Sequence, residues 1–282
     1  MRRGGLARRA RAERTAAALA AAAALLVGCD GKAIFLARNQ REIDAASRAI
    51  EAARDDAARA RACSARGHGW SERARYQRAF RLVDDAEYRR LFDLAVADHE
   101  RALALAPADA QAYVDRGQTY YDRAALEPEG DPARLALFAA AEADFGRAIE
   151  RDRALAHAYD MRGLVRLATR DVDGALADFT VEAALEPRLG RARLAEAHCN
   201  RGVEELTAKR VDAAVADLEK AVALGGSGDG CECQPESPLA GAYLERKEYD
   251  RSWAVVRAAQ AEHRWIMPEL VERLRKESGR ER

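Results

Sequence analysis

The sequence predicts an all-α chain made of repeated helix pairs, and three observations carry that reading. The first is composition. Of 282 residues, 49% are hydrophobic, much of that alanine, while 33% are charged and 6% aromatic. Ala, Arg, Glu and Leu lose little rotamer freedom in a helix, and no run alternates apolar and polar residues as a half-buried strand would. The second is a recurring Ala-Asp-X triplet: 97–99 (Ala-Asp-His), 143–145 and 177–179 (Ala-Asp-Phe) and 216–218 (Ala-Asp-Leu). The third is an Arg-Gly dipeptide before each triplet, at residues 66–67, 116–117, 162–163 and 201–202. A helical bundle with accidental self-similarity is the competing reading, and the strict alternation of the two signals argues against it.

Residues 1–28 read as a targeting segment. Six arginines and one glutamate precede or open an apolar run from Thr15 to Gly28. At about 1.5 Å per residue the run covers roughly 21 Å, short of the ~30 Å of a hydrocarbon core. That length suits the core of a signal peptide. Its end, Leu26-Val27-Gly28-Cys29, resembles the lipobox of bacterial lipoproteins. The resemblance implies cleavage before Cys29, lipidation of its thiol (palmitate or a similar acyl chain), and anchoring at the periplasmic face of a bacterial cell-envelope membrane. Two or more acyl chains would hold where one would not. An ordinary signal peptide with a chance cysteine is the alternative. Residues 29–38 are then expected to be a tether, and 39–62 a leading helix or degenerate repeat.

Without residues 1–28 the chain carries 41 basic and 46 acidic groups, a net charge of −5. That balance argues against a nucleic-acid partner, which calls for a basic stripe.

Repeats are expected over 63–262. Ala95, Ala141, Ala175 and Ala214 stand three residues before the aspartates, and His99, Phe145, Phe179 and Leu218 directly after them. Ala102, Ala148, Glu182 and Ala221 follow three residues later, and Pro107, Arg153, Pro187 and Gly226 five beyond those. Small, large and small at spacings of four and three share one helix face, and proline or glycine ends the helix. A helical glycine costs about 1 kcal/mol relative to alanine, so its recurrence predicts a close helix crossing. The expected partner is the small residue of the following helix.

This pattern resembles the tetratricopeptide repeat, most closely at Tyr159, Gly163, Ala175, Phe179 and Pro187, with a weaker copy at Gly202, Ala214, Leu218 and Ala221. A further copy starts near Ser237, with Tyr243, Ser252, Val256 and Ala259 in the matching places. The two early copies are longer, so they must extend their helices or insert a loop such as 126–134. The resemblance implies a superhelix of antiparallel helix pairs, an α-solenoid, because a single pair cannot cover its own apolar face. It also implies a concave groove, lined by the first helices, that takes a peptide or protein partner. Matching groove positions are Gln111, Val114, Gln118, Tyr121 and Asp122, then His157, Asp160, Leu164 and Leu167, then Glu196, Cys199, Val203 and Leu206. Asp160 and Leu164 replace the pair that grips a carboxylate tail in one branch of the family, which argues against that ligand. Tyr121 is either an aromatic anchor or a ring buried between helices.

Chemistry is sparsely advertised. No nucleophile elbow, phosphate-cradling loop or His-Glu-x-x-His motif is present, so neither an enzyme nor a cofactor is expected. Four cysteines follow Cys29. An exported chain favours disulfides, and Cys199 bridged to Cys231 or Cys233 is the expected pairing. A thiol- or metal-handling lipoprotein using the loop of Cys231 and Cys233, with His198 and Cys199, is the alternative function. Residues 263–282 are expected to form a capping helix, starting at Pro268 and burying Trp265, Ile266, Leu270 and Leu274.

Overall fold

The computed structural model describes residues 30–225 and 234–280. Among these residues there are twelve helices and no strand. The chain divides into two units, one reaching to Ala158 and one starting at Tyr159.

In the first unit, α1 (Asp30–Ala52) leads into α2 (Asp56–Ala79) and α3 (Asp85–Leu105), then α4 (Ala110–Leu126) and α5 (Pro132–Arg151). The segment expected as a tether, 29–38, is therefore helical from Asp30 onward. α1 packs on α2 through Asn39, whose Nδ2 donates to the Gly69 carbonyl at 2.9 Å. Ile43 fills the space where a side chain at Gly69 would stand. The early copies accommodate their extra residues in both of the anticipated ways. α2 and α3 are stretched to 24 and 21 residues, and residues 127–131 form a loop between α4 and α5. That loop is tied down by buried Glu127, which accepts two hydrogen bonds from Arg89 on α3 at 2.9 and 2.7 Å. Gly130, with φ +87°, makes its turn.

In the second unit most of α6 (Ala156–Thr169) pairs with α7 (Val172–Leu185), α8 (Pro187–Thr207) with α9 (Val211–Ala223), and α10 (Glu236–Glu245) with α11 (Tyr249–Ala261). α12 (Pro268–Ser278) starts at Pro268 as the sequence indicates; its Leu274, and Ile266 just before it, are buried with Trp253 and Val256. Trp265, expected in that stripe, is instead 56% exposed.

Aspartates start many of these helices. Asp55, Asp84, Asp109, Asp131 and Asp171 each accept from a backbone N–H of the following turn, satisfying donors the helix leaves unpaired. Helices stop two residues before Pro107, Arg153 and Pro187, and Pro187 itself opens α8, where its missing N–H costs nothing.

Candidate functional site

Each of the first four hairpins has the same interior. A side chain at Gly117 would begin 2.8 Å from the Phe145 ring, and one at Gly163 would begin 2.5 Å from Phe179. Gly67 faces His99 and Gly202 faces Leu218 in the same way. The glycine therefore makes room for the large residue after the aspartate, which corrects the expectation that its partner is the small alanine. The alanines matter through their backbone, since the Ala95 and Ala214 carbonyls lie next nearest at 3.0 and 3.2 Å.

The aspartate of each triplet is buried and is gripped by the arginine of the Arg-Gly pair. Arg66 holds Asp98, Arg116 holds Asp144, Arg162 holds Asp178 and Arg201 holds Asp217. Each guanidinium donates through two nitrogens at 2.6–3.0 Å. A further polar contact completes each carboxylate: Arg101, Arg147 and Arg166 in the first three hairpins, and His198 Nδ1 in the fourth. Burial pushes the Asp217 carboxyl up, but Arg201 and His198 outweigh it and hold it below its ordinary value. In the fifth hairpin the link is neutral, with the Ser252 hydroxyl donating to the Ala240 carbonyl at 2.8 Å. Sequence reasoning passed over this clasp, although the strict recurrence of Arg and Asp was its signal.

With the interior so occupied, the first helices of the first unit carry a polar band. α2 and α4 meet where the Ser71 and Thr119 hydroxyls share a buried hydrogen bond of 2.9 Å. On α4 a Gln-x-x-x-Asp pair occurs twice, seven residues apart. Gln111 donates to Asp115 at 2.8 Å and Gln118 to Asp122 at 2.9 Å. Two helical turns put the two carboxylates roughly 10.5 Å apart along the axis. α2 contributes His68, Glu72 and Arg75. Arg75 Nη1 lies 3.1 Å from Asp122 Oδ2, without the alignment of a hydrogen bond. Desolvation raises both Asp115 and Asp122, opposed at Asp115 by Gln111 and His68 and at Asp122 by Arg75, Gln118 and His68. A hydrogen bond to Glu72 raises His68 and lowers Glu72.

Of the expected groove residues, Gln111 is exposed, Gln118 and Asp122 are half-buried in this band, and His157 is exposed. Tyr121 is half-buried, its ring centroid 5.9 Å from that of buried Phe138. Val114 is 2% exposed and belongs to the core, so it is withdrawn from the face. His68, Glu72, Arg75 and Asp115 were missed. The last follows Gln111 at one helical turn and was legible by that spacing, whereas the α2 residues required knowing which helices lie side by side.

In the second unit Asp160 and Glu196 are buried rather than presented. Arg193 Nε donates to Asp160 at 2.9 Å, and its Nη1 lies 3.8 Å from Glu196. Leu164 packs on Ala175, Leu176 and Phe179. Cys199 is buried against Leu218 and Tyr243 and is disulfide-bonded; a bonded sulfur has no thiolate to offer a metal. Cys29, Cys231 and Cys233 lie outside the described residues. Cys63 is a buried free thiol, raised by burial. Among the described residues no three His, Cys, Asp or Glu side chains are grouped to hold a metal ion, and none of the helices is long and apolar enough to cross a membrane.

No protein-family model matches the chain, and no curated protein matches it in sequence. Several solved structures are similar to it. One is MamA, at 17% identity and TM-score 0.41, covering 70% of this chain and 98% of that one. Another is YrrB, described as a TPR protein with an unusual peptide-binding site, at 14% identity and TM-score 0.40, covering 75% and 86%. A third is TTC0263, a thermophilic TPR protein of Thermus thermophilus, at 19% identity and TM-score 0.39, covering 73% and 99%. Among the described residues the chain is all-α and built of successive helix pairs.

Proposed function

We propose that the protein is a scaffold that holds a protein or peptide partner along the outward face of α2 and α4, anchored to a bacterial envelope membrane through lipid on Cys29. The α2–α4 band supports the partner reading. It places His68, Glu72, Arg75, Gln111, Asp115, Gln118 and Asp122 on one face, while the apolar residues of the same helices are consumed by the hairpin interiors. Carboxylates whose charge is disfavoured by burial gain most from a cationic or N–H-donating group, so an extended backbone or a basic side chain suits the face. The lipid anchor is supported by the order of basic head, apolar run and Leu-Val-Gly-Cys in residues 1–29. The reading requires no covalent step and no cofactor.

A photo-crosslinking amino acid at Gln111, compared with one at exposed Glu150 on α5, tests the partner reading in membranes. Adducts from position 111 that are lost on Gln118→Arg support it; equal adducts from both positions refute it. For the anchor, Cys29→Ala is expected to abolish acyl labelling and release the protein from membranes, and unchanged fractionation refutes it.

A further inference from the structure

The third hairpin breaks the repeat at one buried position. Where the other clasped hairpins have Ala102, Ala148 and Ala221, all buried, α7 has Glu182, which is 1% exposed. Neither carboxylate oxygen has a hydrogen-bond partner. A buried polar group without a partner is costly, and a buried charge more so.

The surroundings explain why nothing relieves it. α8 approaches α7 so closely that a side chain at Gly190 would begin 2.3 Å from the Ala183 nitrogen and 2.6 Å from the Glu182 carbonyl carbon. The first turns of α8 thus lie on the backbone of α7 at Glu182 itself. Three charged groups act on Glu182: Asp160 on α6, Arg193 on α8, and Glu186 at the junction of α7 and α8. Arg193, the one cation among them, donates to Asp160 and also neighbours buried Glu196. Asp178, on the same helix, is taken by Arg162 and Arg166.

We propose that the α7–α8 corner is a proton-operated latch: with Glu182 protonated the first turns of α8 lie closed on α7, and with Glu182 ionised they lift to let water reach the carboxylate. The weakness of the α8 start favours this division of the fold. Its N-cap, Glu186, makes no side-chain cap bond, so its first turn lacks the aspartate cap that starts α7 and lies directly against α7. Burial, with Asp160 adding to it, pushes Glu182 up to about 7, which sets the latch near neutral pH. Opening would move Leu185 and Leu189, which are 39% and 48% exposed at this corner, so the latch governs an apolar surface as well as a helix end. It is independent of the partner proposed for α2 and α4.

Amide hydrogen exchange of the full chain from about pH 5 to 8, corrected for intrinsic rates, tests it. Protection of residues 183–194 is expected to fall about tenfold per pH unit between about pH 5 and 7, the slope for release of one proton, and to level off above that. Glu182→Gln, which cannot ionise, should abolish that slope, and so should Glu182→Ala, which restores the residue of the other hairpins. A wild-type chain with flat protection, or variants that keep the wild-type slope, overturns the latch. A carbon-13 titration of the wild-type chain gives a reading that does not depend on either variant. A Glu182 carboxyl titrating near neutrality supports it, and one titrating at the ordinary glutamate value overturns it.

Discussion

Substitution at the clasp of Arg116 and Asp144 is the sharpest test of what joins the two helices of a hairpin. Asp144 has 1% of its side chain exposed and Arg116 15%. Two hydrogen bonds of 2.6 and 2.7 Å join them, and Arg147 adds a third contact at 3.0 Å. Asp144→Asn keeps the shape and removes the charge, leaving Arg116 half-enclosed without a counter-ion. Breaking a buried pair from one side costs about 3–5 kcal/mol; the partial exposure of Arg116 lets some water return, so about 3 kcal/mol is expected. Arg116→Met strands the carboxylate with only Arg147, itself 51% exposed, and should cost about 2–3 kcal/mol. The double variant strands neither charge. It is therefore expected to be about as stable as the worse single variant, giving a coupling energy of at least about 1.5 kcal/mol. Urea unfolding followed by circular dichroism measures all four proteins, and thermal unfolding should show each single change lowering the melting temperature by roughly 4–12 °C. Strictly additive single effects, with coupling below about 0.5 kcal/mol, would show that the two side chains act separately and that the clasp is not what unites the hairpin.

Three further outcomes are expected. Burial lowers His99 to about 4 and leaves its Nδ1 without a partner. The unfolded chain then takes up the proton first, at about 6.5. Stability is full above that pH and is lost by about 3 kcal/mol as pH falls toward 4; His99→Phe should remove this acid slope in urea titrations, and an identical slope in the variant would exonerate the histidine. Gly163→Ala puts a methyl 2.5 Å from the Phe179 ring and should cost about 1–3 kcal/mol by overpacking; an unchanged calorimetric midpoint contradicts the close approach. Lys209 occupies the left-handed region at φ +61°, as Arg170 and Lys247 do in equivalent turns at +71° and +59°. Lys209→Gly relieves that strain at some cost in unfolded-state entropy, for a net gain of about 0.5–1 kcal/mol, and a lowered melting temperature would refute it.

His99 and Glu182 give the two units opposite responses to pH. Glu182 is raised to about 7, so its folded form holds a proton that the unfolded chain releases near 4.5. Its contribution is present below that value and disappears as pH rises through about 7. Both effects arise from replacing an ordinary core residue of the repeat, an aromatic ring in one case and an alanine in the other.

The sequence by itself determined the helical class, the pairing of helices and the positions where they cross. These follow from local periodicity and from residue types whose constraints are local, such as Gly163, Phe179 and Pro268. It also contained the clasp, because Arg162 and Asp178 recur at fixed places, but one-dimensional spacing does not reveal that a guanidinium on one helix reaches a carboxylate on the next. Only the tertiary structure decided that Val114 faces inward while Gln118 faces outward, because that depends on which side of α4 is covered by α3 and α5. Only it brought His68, Glu72 and Arg75 of α2 beside Asp115 and Asp122. The fate of Glu182 was equally out of reach, since a glutamate on a helix is ordinarily solvated; α8 folds back over α7 at Gly190, a contact only eight residues along the chain but across a change of helix direction that helical periodicity does not encode.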